Sequence, residues 1–106
     1  MTEKSRKQQI EAMLADDPND PFLRYGLAME YVSEGNDAEA ARCFAELLTV
    51  APDYVPGYLQ AGQVNLRLGR AEEARQAWTR GIAVARRQGD GHAADEMQGF
   101  LASLDE

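Results

Sequence analysis

Residues 21–54 read PFLRYGLAMEYVSEGNDAEAARCFAELLTVAPDY, and residues 55–88 read VPGYLQAGQVNLRLGRAEEARQAWTRGIAVARRQ. Laid on one another at a shift of 34 residues, they match small side chains with small and large with large. Ala28 meets Gly62, Gly35 meets Gly69, Glu39 meets Glu73, Ala40 meets Ala74, and Phe44 meets Trp78. The shift extends outward as well: Pro18 falls on Pro52, Ile10 on Phe44, Leu14 on Leu48, and Leu48 on Ile82. Self-similarity at a fixed period marks a stack of like units, none of which can bury its apolar face alone.

Each unit reads as a pair of helices. From Phe22 to Val32, apolar residues recur at helical spacing and put Leu23, Leu27, Ala28 and Tyr31 on one face. Asp20-Pro21 is a start signal, because Asp accepts from the unpaired N–H groups and Pro suits the first helical position. Gly35-Asn36 ends that helix, since glycine tolerates the left-handed conformation of a helix C-terminus. Asn36 with Glu39 three residues later predicts a capping box for the next helix. That helix turns Ala40, Phe44, Leu47 and Leu48 inward and ends before Pro52. The small residues Ala28, Gly62, Ala40 and Ala74 let helices approach closely, while Phe44 and Trp78 fill the adjoining space.

The sequence resembles the tetratricopeptide-repeat family. The first unit carries Arg24-x2-Leu27-Ala28-x2-Tyr31, Ala40-x3-Phe44 and Pro52. The second carries Tyr58-x2-Ala61-Gly62-x2-Asn65 and Ala74-x3-Trp78. It departs from the family pattern at Asn65, where an aromatic is usual, and at Arg86, where proline is usual. Without that proline, the last helix of the unit is expected to run on toward Gln88. The resemblance implies an all-α chain, a short right-handed solenoid of helical hairpins with about six helices.

The flanks fit as half-units of one domain. Residues 3–15 match a second helix, with Ile10, Met13 and Leu14 in packing positions. Repeat 1 is 21–54 and repeat 2 is 55–88. Residues 91–104 register as a first helix after a two-residue insertion, with Asp90 as N-cap and Ala94, Met97 and Leu101 inward. Phe100 falls outside the inward face Met97–Leu101–Leu104 in that register. The flanking helices are expected to cap the two full repeats, which would rarely be stable alone.

Composition narrows the function. Eighteen acidic against eleven basic residues give a net charge of −7, which opposes extended contact with phosphate backbones or anionic membranes. Lys4, Arg6 and Lys7 lie among Glu3 and Glu11 and read as solvated surface, as do Arg86 and Arg87 at a helix end. No apolar run is long enough to span a bilayer, and the polar residues 1–9 lack a secretory leader, so a cytoplasmic location is expected. Cys43 is the one cysteine, which excludes an intramolecular disulfide.

Residues for catalysis are scarce. His92 is the one histidine and reads as surface in the first turn of the last helix. Cys43 reads as a half-buried small side chain with no basic partner adjoining it. Asp16-Asp17, Glu72-Glu73 and Asp95-Glu96 fit helix ends or polar faces. No metal, cofactor or catalytic set is expected.

The resemblance also implies a binding surface, the concave groove lined by first helices, which takes a peptide or protein segment. Carried onto this chain, it comprises Phe22, Tyr25, Met29 and Ser33, then Leu59, Gln60, Gln63, Leu66 and Arg67, with His92, Asp95 and Glu96 following. Tyr25 and Met29 offer adaptable apolar contact, Arg67 suits a carboxylate, and the glutamines suit a peptide backbone. Chaperone-binding members hold a terminal carboxylate with Lys and Asn. Tyr25, Met29 and Gln60 stand at the corresponding positions here, so that role is disfavoured. The expected function is therefore an adaptor or assembly factor. The alternative is a homodimer joined through the groove or a solenoid end, with Phe100, Tyr54 and Tyr58 as candidate contacts.

Overall fold

The computed structural model describes residues 3–105. Its elements are α1 (Arg6–Asp16), α2 (Pro21–Ser33), α3 (Asp37–Val50), α4 (Val55–Arg67), α5 (Ala71–Arg87) and α6 (Gly91–Leu104). Among the described residues there is no strand. Each helix packs on the next, and α4 also touches α6, giving a body of 51 × 29 × 20 Å.

Local chemistry sets the helix ends. Asp20 accepts from the amides of Phe22 at 2.9 Å and Leu23 at 3.2 Å, with Pro21 in the first position. Asp90 caps α6 by accepting from Ala93 at 3.1 Å. At Asn36 only half of the expected box forms: its side chain accepts from the Glu39 amide, while the Glu39 carboxylate turns to Arg42. The complete box is at Ser5 and Gln8, where each side chain bonds the other's backbone. It moves the first helix from the expected 3–15 to Arg6–Asp16.

Glycines 35, 69 and 89 have φ of 76–78° and each closes a helix through a reach-back bond. Asn36 donates to the Tyr31 carbonyl at 2.9 Å, Arg70 to Asn65 at 2.8 Å, and Asp90 to Ala85 at 2.8 Å. The third spans Arg86, the position where proline is usual. Accordingly α5 runs 17 residues against 14 in α3, continuing to Arg87.

The core has two parts. One gathers Ala28, Ala40, Cys43, Phe44, Leu47, Ala61 and Val64 from α2, α3 and α4. The other gathers Tyr58, Ala74, Trp78, Ile82, Ala85, Ala94 and Met97, among others, from α4, α5 and α6, and Leu48 touches both. A Cβ on Gly62 would overlap the Trp78 indole, and one on Gly81 would lie 2.6 Å from both Met97 Sδ and Tyr58 Cβ. The approach at Gly62 is the one expected of the small residues; that at Gly81 was not among the expected crossings.

Three expectations are corrected. Phe100 is part of the packing: its ring stacks on Trp78 with centroids 5.2 Å apart. Cys43 is buried rather than half-buried. Lys7 is not simply solvated: it pairs with Glu34 at 3.0 Å, with its Nζ 4.7 Å from the Tyr31 ring centroid.

Candidate functional site

Phe22, Tyr25, Met29 and Ser33 lie along one face of α2, as helical spacing requires. That face forms one wall of a cleft of about 660 Å³, and Arg6, Gln9, Ile10 and Met13 of α1 form much of the other. Phe22 is 71% exposed and Met13 is 48% exposed, large apolar surfaces left open to solvent. Arg6 and Glu30 pair across the cleft at 2.8 Å. The four α1 residues were not among the expected site positions, and Met13 was expected to pack. The signal was present in the register. Met13 is the counterpart of Leu47, which is fully buried beneath α2, α3 and α4. Among the described residues, no helix covers α1 as α2 covers α3.

Tyr25 joins this wall to α4. Its ring centroid is 6.1 Å from that of Phe44 and 5.6 Å from that of Tyr54. Burial pushes its phenol above the ordinary tyrosine value, and Tyr54 adds to the rise. The nearby Gln60 side chain opposes it. Tyr25 is thus half-buried, an anchored residue that also lines the cleft.

The expected α4 residues do not line the α1–α2 cleft. Gln60 and Gln63 are half-buried, Leu66 is 44% exposed, and Leu59 packs partly into the core. Trp78 donates from Nε1 to the Leu59 carbonyl at 3.1 Å. Arg67 already has a carboxylate: Nε and one terminal nitrogen meet the two Asp37 oxygens, each at 3.0 Å. That fork holds the Asp37 carboxyl below the usual range and raises the Arg67 guanidinium.

His92, Asp95 and Glu96 are exposed on α6. Burial pushes the Cys43 thiol up, partly countered by Arg42. Among the described residues no group of three His, Cys, Asp or Glu side chains is placed to hold a metal ion. No helix among them is long and apolar enough to cross a membrane.

A stack of helix pairs at a fixed period, with small residues at the crossings and an open face on its first helices, defines a helical-repeat protein. The chain belongs to the tetratricopeptide-repeat family. It is 35% identical over 96 residues to a TPR repeat-containing protein of Pseudomonas aeruginosa, covering 91% of each chain. The crystal structure of a tetratricopeptide repeat domain protein from Salinibacter ruber matches it with a TM-score of 0.76 at 36% identity, over 81% of this chain and 96% of that one. PcrH, solved in complex with the chaperone binding region of PopD, shares the fold with a TM-score of 0.87 at 18% identity, over 93% of this chain and 75% of that one. No family profile matches the chain.

Proposed function

We propose that this protein is a non-catalytic interaction module that holds a segment of another protein along its concave face, as an adaptor or assembly factor. The carrying observation is the α2 wall of Phe22, Tyr25 and Met29 beside α1, and the proposed surface extends from it to Gln60, Gln63 and Leu66 on α4. It combines open apolar area with amides able to bond a peptide backbone. A neighbour of the same fold, PcrH, was solved holding a protein segment, which supports the reading.

The aromatics offered for self-association are engaged within the chain. Phe100 stacks on Trp78, Tyr54 packs near Tyr25, and buried Tyr58 donates to the Pro52 carbonyl at 2.7 Å.

The test is a photo-reactive phenylalanine at Leu66, compared with one at exposed Arg80 on α5, in an extract of the native cells. Adducts to a discrete protein from Leu66 alone, reduced by Tyr25→Ala with Met29→Ala, are expected. Equal adducts from both positions would discard the groove. Adducts joining only two copies of the chain would make it a self-association surface.

A further inference from the structure

We infer that the cleft between α1 and α2 seats an amphipathic α-helix of a partner protein, held by apolar contact and by a carboxylate on Arg6. This rests on the groove reading above and specifies the form in which a partner binds.

The repeat itself supplies the template. The core around Phe44 is built by α2 resting on α3 and α4. Shifted back by 34 residues, its members Ala40, Cys43, Phe44, Leu47, Ala61 and Val64 become Arg6, Gln9, Ile10, Met13, Leu27 and Glu30. All but Leu27 line the cleft. The one member supplied by α2, Ala28, has no counterpart among the described residues. The cleft is therefore in register with a place that, one repeat later, is filled by a helix. Since α2 and α4 are each 13 residues long, a partner helix of about that length fits.

Side-chain volumes refine the fit. Gly62 faces Trp78, while Ala28 shares a core with Phe44, so the first helix gives up volume as the second gains it. Ile10 is smaller than either aromatic and leaves room for a medium aliphatic residue on the incoming helix. Around it, Met13, Phe22 and Met29 offer adaptable apolar surface.

Charge sets the polar end. Where the next repeat buries Ala40 and Val64, the cleft has Arg6 and Glu30. Arg6 holds Glu30 through Nε, and its side chain is 81% exposed, so its terminal nitrogens are within reach of an incoming carboxylate. The occupant accordingly carries apolar residues at helical spacing and an Asp or Glu near the end that meets Arg6.

Two experiments on the full chain decide this. In the first, a second copy of residues 21–36 is fused directly ahead of Glu3, continuing the register. Met13→Cys in a Cys43→Ala background reports whether the cleft is covered. Seating is expected to add about one helix to the far-UV circular dichroism and to slow thiol labelling at position 13 at least tenfold. No added helix and an unchanged labelling rate would overturn the seat. Protection without the fused segment that grows with protein concentration would place a second copy there, and would equally overturn it.

In the second, a photo-reactive residue replaces Met13 and the adducted peptide is sequenced. The expected peptide shows apolar residues at i, i+3 or i+4, and i+7, with Asp or Glu toward one end, and Arg6→Glu lowers its yield several-fold. A proline-broken or strand-alternating peptide overturns the helix. Adducts from Leu66 with none from Met13 remove this inference and leave the groove standing. No adduct from either position removes both.

Discussion

Trp78 donates its indole N–H to the carbonyl of Leu59 at 3.1 Å, over a helix crossing that only the missing side chain of Gly62 permits. A Cβ at position 62 would fall within 2.6 Å of Cδ1 and closer still to Nε1 and Cε2. In that place α4 gives up helix propensity, about 1 kcal/mol for glycine against alanine, for close packing.

Gly62→Ala is therefore expected to destabilise the chain despite its better propensity, by about 1–3 kcal/mol as overpacking commonly costs. Trp78→Leu removes the nearest clashing atoms, Nε1 and Cε2, so Gly62→Ala should cost less in that background. The check is urea unfolding of the two single variants and the double. Costs that simply add would show that the indole and Gly62 are not coupled.

Phe22 and Phe44 separate surface from core. Phe44 is fully buried and its truncation to alanine should cost about 3–5 kcal/mol. Phe22 is 71% exposed, so Phe22→Ala should change stability by no more than about 0.5 kcal/mol. A large loss at Phe22 would mean that its ring staples α2 to a neighbour, and would count against the open groove.

The helical repeat was legible because volume and turn chemistry are written locally. Asp20 and Asp90 cap as their positions announce, and Ala28, Ala40 and Ala74 are fully buried at the crossings. What was not legible depended on partners distant in sequence. Arg67 is claimed by Asp37 from another helix, and Glu39 chooses Arg42 over the cap it was expected to complete. Phe100 lies three residues after buried Met97 on the same face of α6, and the Trp78 ring it stacks on comes from another helix. Met13 follows the apolar pattern of a packed residue, but pattern alone does not say whether a covering helix is present.

Burial around Cys43 has a pH consequence. Its thiol is held protonated chiefly by desolvation, so its value in the folded chain lies above that in the unfolded chain. That preference stabilises the fold fully at pH below the ordinary thiol range, and it is lost as pH rises through the folded value. Stability should fall on the alkaline side, and the fall should be smaller in Cys43→Ala after allowing for the variant's lower baseline. Labelling of the native thiol should keep pace with unfolding, since Cys43 is 4% exposed. Rapid labelling of fully folded protein at neutral pH would contradict this.

Restoring the usual proline at Arg86 should harm this chain. Position 86 lies in the last turn of α5, where proline removes a helical N–H and crowds the carbonyl four residues earlier, at Ile82. The turn that follows depends on Gly89 at φ 76° and on the Asp90 amide reaching the Ala85 carbonyl at 2.8 Å. Through that turn α6 is set so that Ala94 and Met97 are buried against α5 and Phe100 stacks on Trp78. Arg86→Pro is expected to cost about 3 kcal/mol, with Gly89→Ala costing about 1–2 kcal/mol for strain at a left-handed position. Thermal unfolding followed by Trp78 fluorescence measures both, because the indole reports α6 through Phe100. A neutral or stabilising Arg86→Pro would mean that the extra turn of α5 is incidental and that α6 docks equally well from a shorter helix.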